Sequence, residues 1–193
     1  MCGIYRSAKH RTPNTTFVPN DGLGDDDLCI AYAEVLRLDL EDAMSDSVPD
    51  FDYEIDKFKF IGDAGFMCKL GSSYHPLSEF GEGLRRYVSI LCSICACKNG
   101  YLFIDESVDR FQLPQHELIW TKIFQLAKRL NCQLFITTQS RKLLESFTSV
   151  AKGINERNVT YMQLIKDERL GRLKTMHDFD MLVMATADIA LIR

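Results

Sequence analysis

Two short runs and one glycine pair carry the residues that could do chemistry in this chain. Tyr101-Leu102-Phe103-Ile104 leads into Asp105-Glu106, and Leu134-Phe135-Ile136 leads into Thr137-Thr138-Gln139-Ser140. Four apolar residues followed by two acids predict a buried parallel strand that delivers two carboxylates to the edge of a sheet, where a Mg-nucleotide could meet them. The second run ends instead in hydroxyl and amide side chains. Upstream, Leu77-Ser78-Glu79-Phe80-Gly81-Glu82-Gly83 places a glycine pair at the opening of a helix, which leaves backbone N–H groups to face phosphate.

The spacing between these runs predicts the elements that hold them. Residues 101–105 read as a strand, a helix follows from near Pro114 to about Leu130, and residues 132–137 read as a second strand. Ile119, Ile123, Leu126, Ala127 and Leu130 give the helix its core face. A strand, helix and strand of these lengths form a βαβ unit with parallel strands and a right-handed crossover, so both strands end on one edge. Open α/β sheets place their ligands at that edge. The helix over 79–97 has a stripe of Leu84, Val88, Leu91 and Cys95 with Ile90 and Ile94 beside it, so it should be buried; Lys98-Asn99-Gly100 ends it. Ser78 has a second reading, as its N-cap with Glu82 in the first turn.

The flanks are read from turn residues and periodicity. Residues 1–27 carry Pro, Asn, Thr, Gly and an Asp run and are expected to be a poorly ordered lead-in to a single domain over 28–193. A helix over 28–44 is expected with Asp26 or Asp27 as N-cap, then an acidic linker over 45–52, then a hairpin from residues 53–61 and 65–70. Beyond the second strand, a helix over 141–155 precedes a hairpin from 159–166 and 172–176 around Glu168-Arg169-Leu170-Gly171. Asp178 should cap a final helix to Arg193.

Composition narrows the classes. The 193 residues are 46% hydrophobic and 26% charged, enough for one domain with a core. A net charge of -4 argues against a broad duplex-DNA-binding surface. No apolar run is long enough for a membrane span and no signal-peptide pattern stands at the start, so a cytoplasmic protein without a membrane partner is expected. The seven cysteines lack the spacing of a secreted disulfide framework. Cys92 and Cys95 lie one helical turn apart, but no second Cys or His pair stands at finger spacing, so these and Cys97 read as core packing and no zinc is expected. Met1-Cys2-Gly3-Ile4 resembles the start of N-terminal-nucleophile amidotransferases, with nothing downstream to support it. His75, His116 and His177 are scattered and read as surface groups.

Taken in order, the Ser78 to Gly83 run, the apolar strand ending in Asp105-Glu106 and the strand ending in Thr137-Thr138-Gln139-Ser140 resemble the signature, Walker B and switch elements of an ABC-type ATPase. The resemblance is to the C-terminal half of the OLD-like and AAA-15/AAA-21 group, over roughly residues 28–193. It implies an α/β fold: an incomplete ABC-ATPase-like lobe with a mainly parallel sheet, flanking helices, and a C-terminal β-hairpin and helix. It implies ATP and Mg2+ as cofactors of a completed assembly. Asp105 would order the Mg2+ shell through water, Glu106 would polarise the attacking water, and Gln139 would take the switch position. Ser78, Gly81 and Gly83 would contact the nucleotide held by an opposite protomer. The chain departs from the pattern in three places. Gln139 stands where His is usual, Arg110-Phe111-Gln112 stands where Gly-Leu-His is usual, and no Gly-x-x-x-x-Gly-Lys-[Ser/Thr] occurs at all. Partners implied are therefore a Walker A-bearing chain or further copies in a homo-oligomer, with nucleic acid suggested by family analogy alone. The alternative is a degenerate, catalytically inactive fragment acting as an interaction module.

Overall fold

The computed structural model describes residues 14–106, 108, 111, 113–165 and 173–188. The architecture is α/β. Its centre is a three-stranded parallel sheet of β1 (Thr15–Val18), β5 (Tyr101–Asp105) and β6 (Gln133–Thr137), in the order β1-β5-β6. Between β1 and β5 the chain forms helices α1 (Asp25–Arg37) and α2 (Glu41–Phe51). It then forms an antiparallel sheet of β2 (Lys57–Ile61), β3 (Gly65–Leu70) and β4 (Ser73–Pro76), and helix α3 (Gly81–Ala96). Helix α4 (Leu113–Leu130) connects β5 to β6. Helix α5 (Arg141–Gly153), the antiparallel hairpin β7 (Tyr161–Ile165) and β8 (Leu173–His177), and helix α6 (Phe179–Asp188) complete the order.

Helix α3 is the axis of the core. Its buried positions run around the circumference, from Leu84 and Tyr87 to Cys95, and it packs against α1, α2, α4 and the inner face of β1 and β5. On that inner face Leu102 and Ile104 are fully covered, each contributing about 1.5–3 kcal/mol. Tyr32 of α1 packs edge-on against Phe58 and Phe66 of the antiparallel sheet, whose two rings stack at 5.8 Å. Thus α1 bridges the antiparallel sheet to α3.

Four sequence expectations need correction. Residues 15–18, placed in the lead-in, form β1 and pair in parallel with β5, Thr15 opposite Tyr101 through Val18 opposite Ile104. The approach is tight: the Tyr101 N–H donates to Asn14 O at 2.8 Å, and any side chain at position 100 would run into that carbonyl, so Gly100 is required. The helix expected over 28–44 is two helices. Asp39, in the left-handed region at φ 54°, closes the first, and Gly24 rather than Asp26 or Asp27 occupies its N-cap. The acidic linker is the body of α2, with Pro49 inside the helix. Packing overrides the turn chemistry here: Met44, Ser45 and Val48 are buried, and Ser45 Oγ accepts the Phe58 N–H at 3.1 Å. Last, β5 is buried on one side only. Phe17, Phe103 and Phe135 lie in register across the three strands and expose a row of aromatic rings.

The remaining element expectations hold where the structure describes them. The 53–61 and 65–70 hairpin is present from Lys57, with Ile61 opposite Gly65, and β4 extends it. The C-terminal hairpin pairs Tyr161 with His177 through Ile165 with Leu173. Asp178 caps α6, its Oδ1 accepting the Met181 N–H at 3.0 Å. The turn at 168–171 and residues 189–193 lie outside the described residues. No helix of the described chain is long and apolar enough to cross a membrane.

Strand β5 is hydrogen-bonded on both sides and sits over α3, so its amides have the fewest routes to solvent. Hydrogen exchange should find Tyr101–Asp105 the slowest of the strands. Slower exchange in Tyr161–Ile165 would overturn this assignment of the core.

Candidate functional site

The parallel register decides what stands at the sheet edge. Asp105 lies opposite Thr137, the last pair of the β5–β6 ladder. The Thr137 hydroxyl donates to Asp105 Oδ1 at 2.6 Å and accepts the Glu106 N–H at 3.2 Å. Glu106 N also reaches Thr137 O at 3.3 Å. One hydroxyl therefore fixes the carboxylate of one acid and the backbone of the next. Glu106 adopts φ 49°, a left-handed conformation that costs a non-glycine residue about 1–3 kcal/mol unless its surroundings hold it. Those surroundings include Gln139, whose amide Nε2 donates to Glu106 Oε1 at 2.5 Å.

Behind this edge the chain turns directly into α5. Ser140 N donates to Thr138 Oγ1 at 2.9 Å, and Ser140 Oγ caps the helix by accepting the Leu143 N–H at 3.3 Å. The structure thus gathers Asp105, Glu106, Thr137, Thr138, Gln139 and Ser140 at one sheet edge, from strands joined by α4. The central role of the Thr137 hydroxyl was not legible in the sequence. A Thr at a strand end signals little by itself, and only the register shows which acid it meets.

Ser78, Gly81 and Gly83 sit on another element. Ser78 lies in a 3-10 turn, Leu77–Phe80, and does not cap α3, because Phe80 occupies the N-cap and makes no side-chain cap bond. Gly81 has φ 79° with ψ 172°, a conformation closed to side chains. A Cβ at Gly83 would touch the Phe51 ring at 3.6 Å. Phe51 stacks on Tyr87 at 4.9 Å and meets Phe111 edge-on at 5.8 Å. Through this cluster the opening of α3 is packed against the segment that follows the acidic edge. Phe111 is the middle residue of the departure from Gly-Leu-His; Arg110 and Gln112 lie outside the described residues.

His116 corrects another expectation. It is buried, with Nε2 3.0 Å from Phe111 O, so it props the same segment from α4 and is not a surface group. His75 is on the surface, 3.2 Å from Glu79, and the His177 side chain lies outside the description. Cys92 and Cys95 are buried in α3, and burial pushes their thiols up, Cys95 to about 12, as core packing requires. Cys2 lies outside the described residues.

Among the described residues no group of three or more His, Cys, Asp or Glu side chains is gathered to hold a metal directly. A Mg2+ ion commonly takes only one or two carboxylates, filling its octahedron with water and substrate phosphate. Asp105, fixed through one oxygen by Thr137, fits that outer role better than a closed cage.

No family model matches this chain, and no curated protein matches it as a relative.

Replacing Thr137 by Val keeps shape and removes both hydroxyl bonds, one of them to a carboxylate. Both bonds are exposed, so urea unfolding should show a loss of about 0.5–1.5 kcal/mol, with Thr137→Ser recovering most of it. Equal stability of Thr137→Val and the parent would show that the hydroxyl does not hold this edge.

Proposed function

We propose that this chain contributes the signature and Walker B elements of a composite or dimeric ABC-type ATPase, similar to the OLD-like and AAA-15/AAA-21 group, whose Walker A loop comes from another chain. The observation that carries the reading is the sheet edge on which Thr137 and Gln139 hold Asp105 and Glu106. Three features of the chain support it: a strand ending in two acids, a parallel strand in register with it ending in Thr-Thr-Gln-Ser, and a glycine-opened helix packed against the sheet.

Incompleteness supports it too. Parallel sheets are ordinarily covered on both faces, whereas here the row of Phe17, Phe103 and Phe135 is exposed. A groove of about 860 Å³ beside β6 is lined by Leu134 and Ile136, by residues of α4 and α5, and by Val159 to Met162. A lobe lacking part of its sheet would have both features.

In this reading Asp105 would hold the water shell of a bound Mg2+ ion, its carboxylate fixed by the hydrogen bond from Thr137. Bound Mg2+ would neutralise charge on the transferred phosphoryl group. Glu106 accepts a hydrogen bond from the attacking water, and Gln139 orients it by donating to the other side of the same carboxylate. Gln cannot relay a proton as His can, so Gln139 serves as a positioning group. Ser78 and the backbone at Gly81 and Gly83 face the nucleotide of an opposing protomer. Two carboxylates without a Lys leave the isolated chain with no grip on β- and γ-phosphates. A cytoplasmic setting suits such a partner assembly. The second reading, an inactive interaction module, draws on Gln139 and on Phe111, which fill two positions where the pattern has other residues.

The test is ATP hydrolysis by this chain co-expressed with a P-loop-bearing polypeptide, the product of an adjacent reading frame being the first choice. Turnover should appear only in the mixture, and Glu106→Gln should lower it by roughly 10²-fold or more. Co-purification without turnover would favour the inactive module, and turnover insensitive to Glu106→Gln would remove Glu106 from the mechanism.

A further inference from the structure

Charge is distributed unevenly along this chain. Residues 21–56 hold thirteen Asp and Glu against the single base Arg37, in a sequence whose overall net charge is -4. In the structure these residues form the loop after β1, helices α1 and α2, and the lead into β2. All of the acids except Glu34 and Asp52 are exposed. Three of them have ion-pair partners: Glu34 meets Arg37 at 2.7 Å, Asp25 meets Arg85 at 2.7 Å, and Asp50 meets Lys122 at 2.6 Å. The remaining acids form no ion pair among the described residues, so this side of the molecule keeps a large negative surplus.

Helix α1 turns an apolar strip outward in the middle of that charge. Leu28, Ala31, Tyr32 and Val35 take its core side, which leaves Cys29, Ile30, Ala33 and Leu36 on the exposed side, Ile30 at 71% and Leu36 at 48% exposure. Positions 29, 33 and 36 follow the spacing by which one helix receives the ridge of another, and the small Ala33 lets a second backbone come close. Beside Ile30 a groove of about 450 Å³ opens between α1 and β1, lined by Phe17, Pro19, Asp27 and Ala96. Acids stand at both ends of the strip, Asp25, Asp26 and Asp27 before it and Asp39, Glu41 and Asp42 after it.

We propose that this face of α1 docks a basic amphipathic helix of a partner protein. Its apolar residues would lie along the strip with one larger side chain in the groove, and its Lys and Arg residues would reach the acids at either end. Charge decides among the possible occupants. A nucleic acid or an anionic membrane surface carries the same sign as this face, and a second copy would set acid against acid across a twofold axis. The strip is about two helical turns long, so the contact belongs to the small, transient class in which charge governs the rate of encounter. The inference uses no part of the nucleotide reading and stands or falls apart from it.

Cys29 supplies the readout, because it lies on the strip and is the exposed cysteine among the described residues. The full native chain is alkylated with N-ethylmaleimide and the rate at Cys29 is followed by mass spectrometry. The probe is a synthetic helical peptide of lysine and leucine with its leucines on one face, and the control has the same composition with the leucines scattered. At saturating probe in about 0.01 M salt, alkylation of Cys29 should slow by roughly tenfold, and about 1 M salt, where the Debye length is about 3 Å, should abolish the protection. The control should change the rate by less than about twofold, since charge alone does not seat a peptide on the strip. Ile30→Ser combined with Leu36→Ser removes exposed side chains and should raise the half-protecting probe concentration by roughly tenfold. The native-chain measurement decides the matter if that variant fails to fold. Unchanged alkylation with the probe, or equal protection by the scattered control, would overturn the proposal. So would protection that grows with chain concentration in the absence of peptide, which would assign the face to a second copy.

Discussion

The parallel ladder between β5 and β6 is the constraint on which the rest of the structure depends. Its register is set at the bottom, where Gly100 lets the Asn14 carbonyl approach and Gln133 binds Gly100 O, and it is read out at the top, where Asp105 meets Thr137. A slip of one residue would turn Leu102 and Ile104 out of the core and carry Asp105 away from the hydroxyl. Core packing and the acidic edge are thus one specification. Helix α3 enforces it from below by covering the inner face, and α4 enforces it by spanning the two strands.

The same sheet is covered on one face and carries exposed aromatic rings on the other. Three aromatic rings in register stay exposed, and the outer edge of β6 borders a groove with apolar walls from α4 and α5, including Ile123, Phe124 and Phe147. Exposed aromatic rows and open strand edges are where polypeptides associate. The proposed division of a nucleotide site between chains draws on that open surface and on the absence of a Gly-x-x-x-x-Gly-Lys-[Ser/Thr] run from the sequence.

Much of the framework was legible in the sequence because its signals are periodic. The apolar spacing of Ile119, Ile123 and Ala127 marks α4, and the uninterrupted apolar runs before Asp105 and Thr137 mark the two central strands. Element β1 was not legible. Four residues between Asn14 and Pro19 carry no alternation beyond Thr-Thr-Phe-Val, and only the partner strand makes them a strand. Helix α2 was hidden by Ser45, Asp46, Ser47 and Pro49, all of which read as turn formers until Val48 and Met44 are seen to be buried. The acids and Gln139 of the candidate site were legible by type, but their coupling was not. It arises from a threonine hydroxyl placed by register and from a left-handed Glu106, neither of which leaves a local sequence mark.

The claim that this edge is one part of a divided nucleotide site is tested most directly by calorimetric titration of the isolated chain with Mg-ATP. Asp105 and Glu106 bring negative charge to the place where phosphate would lie, and no lysine loop offsets it. No saturable heat should appear at micromolar chain concentrations. A micromolar dissociation constant, about -8 kcal/mol, would contradict the claim by showing that this chain grips the phosphates unaided.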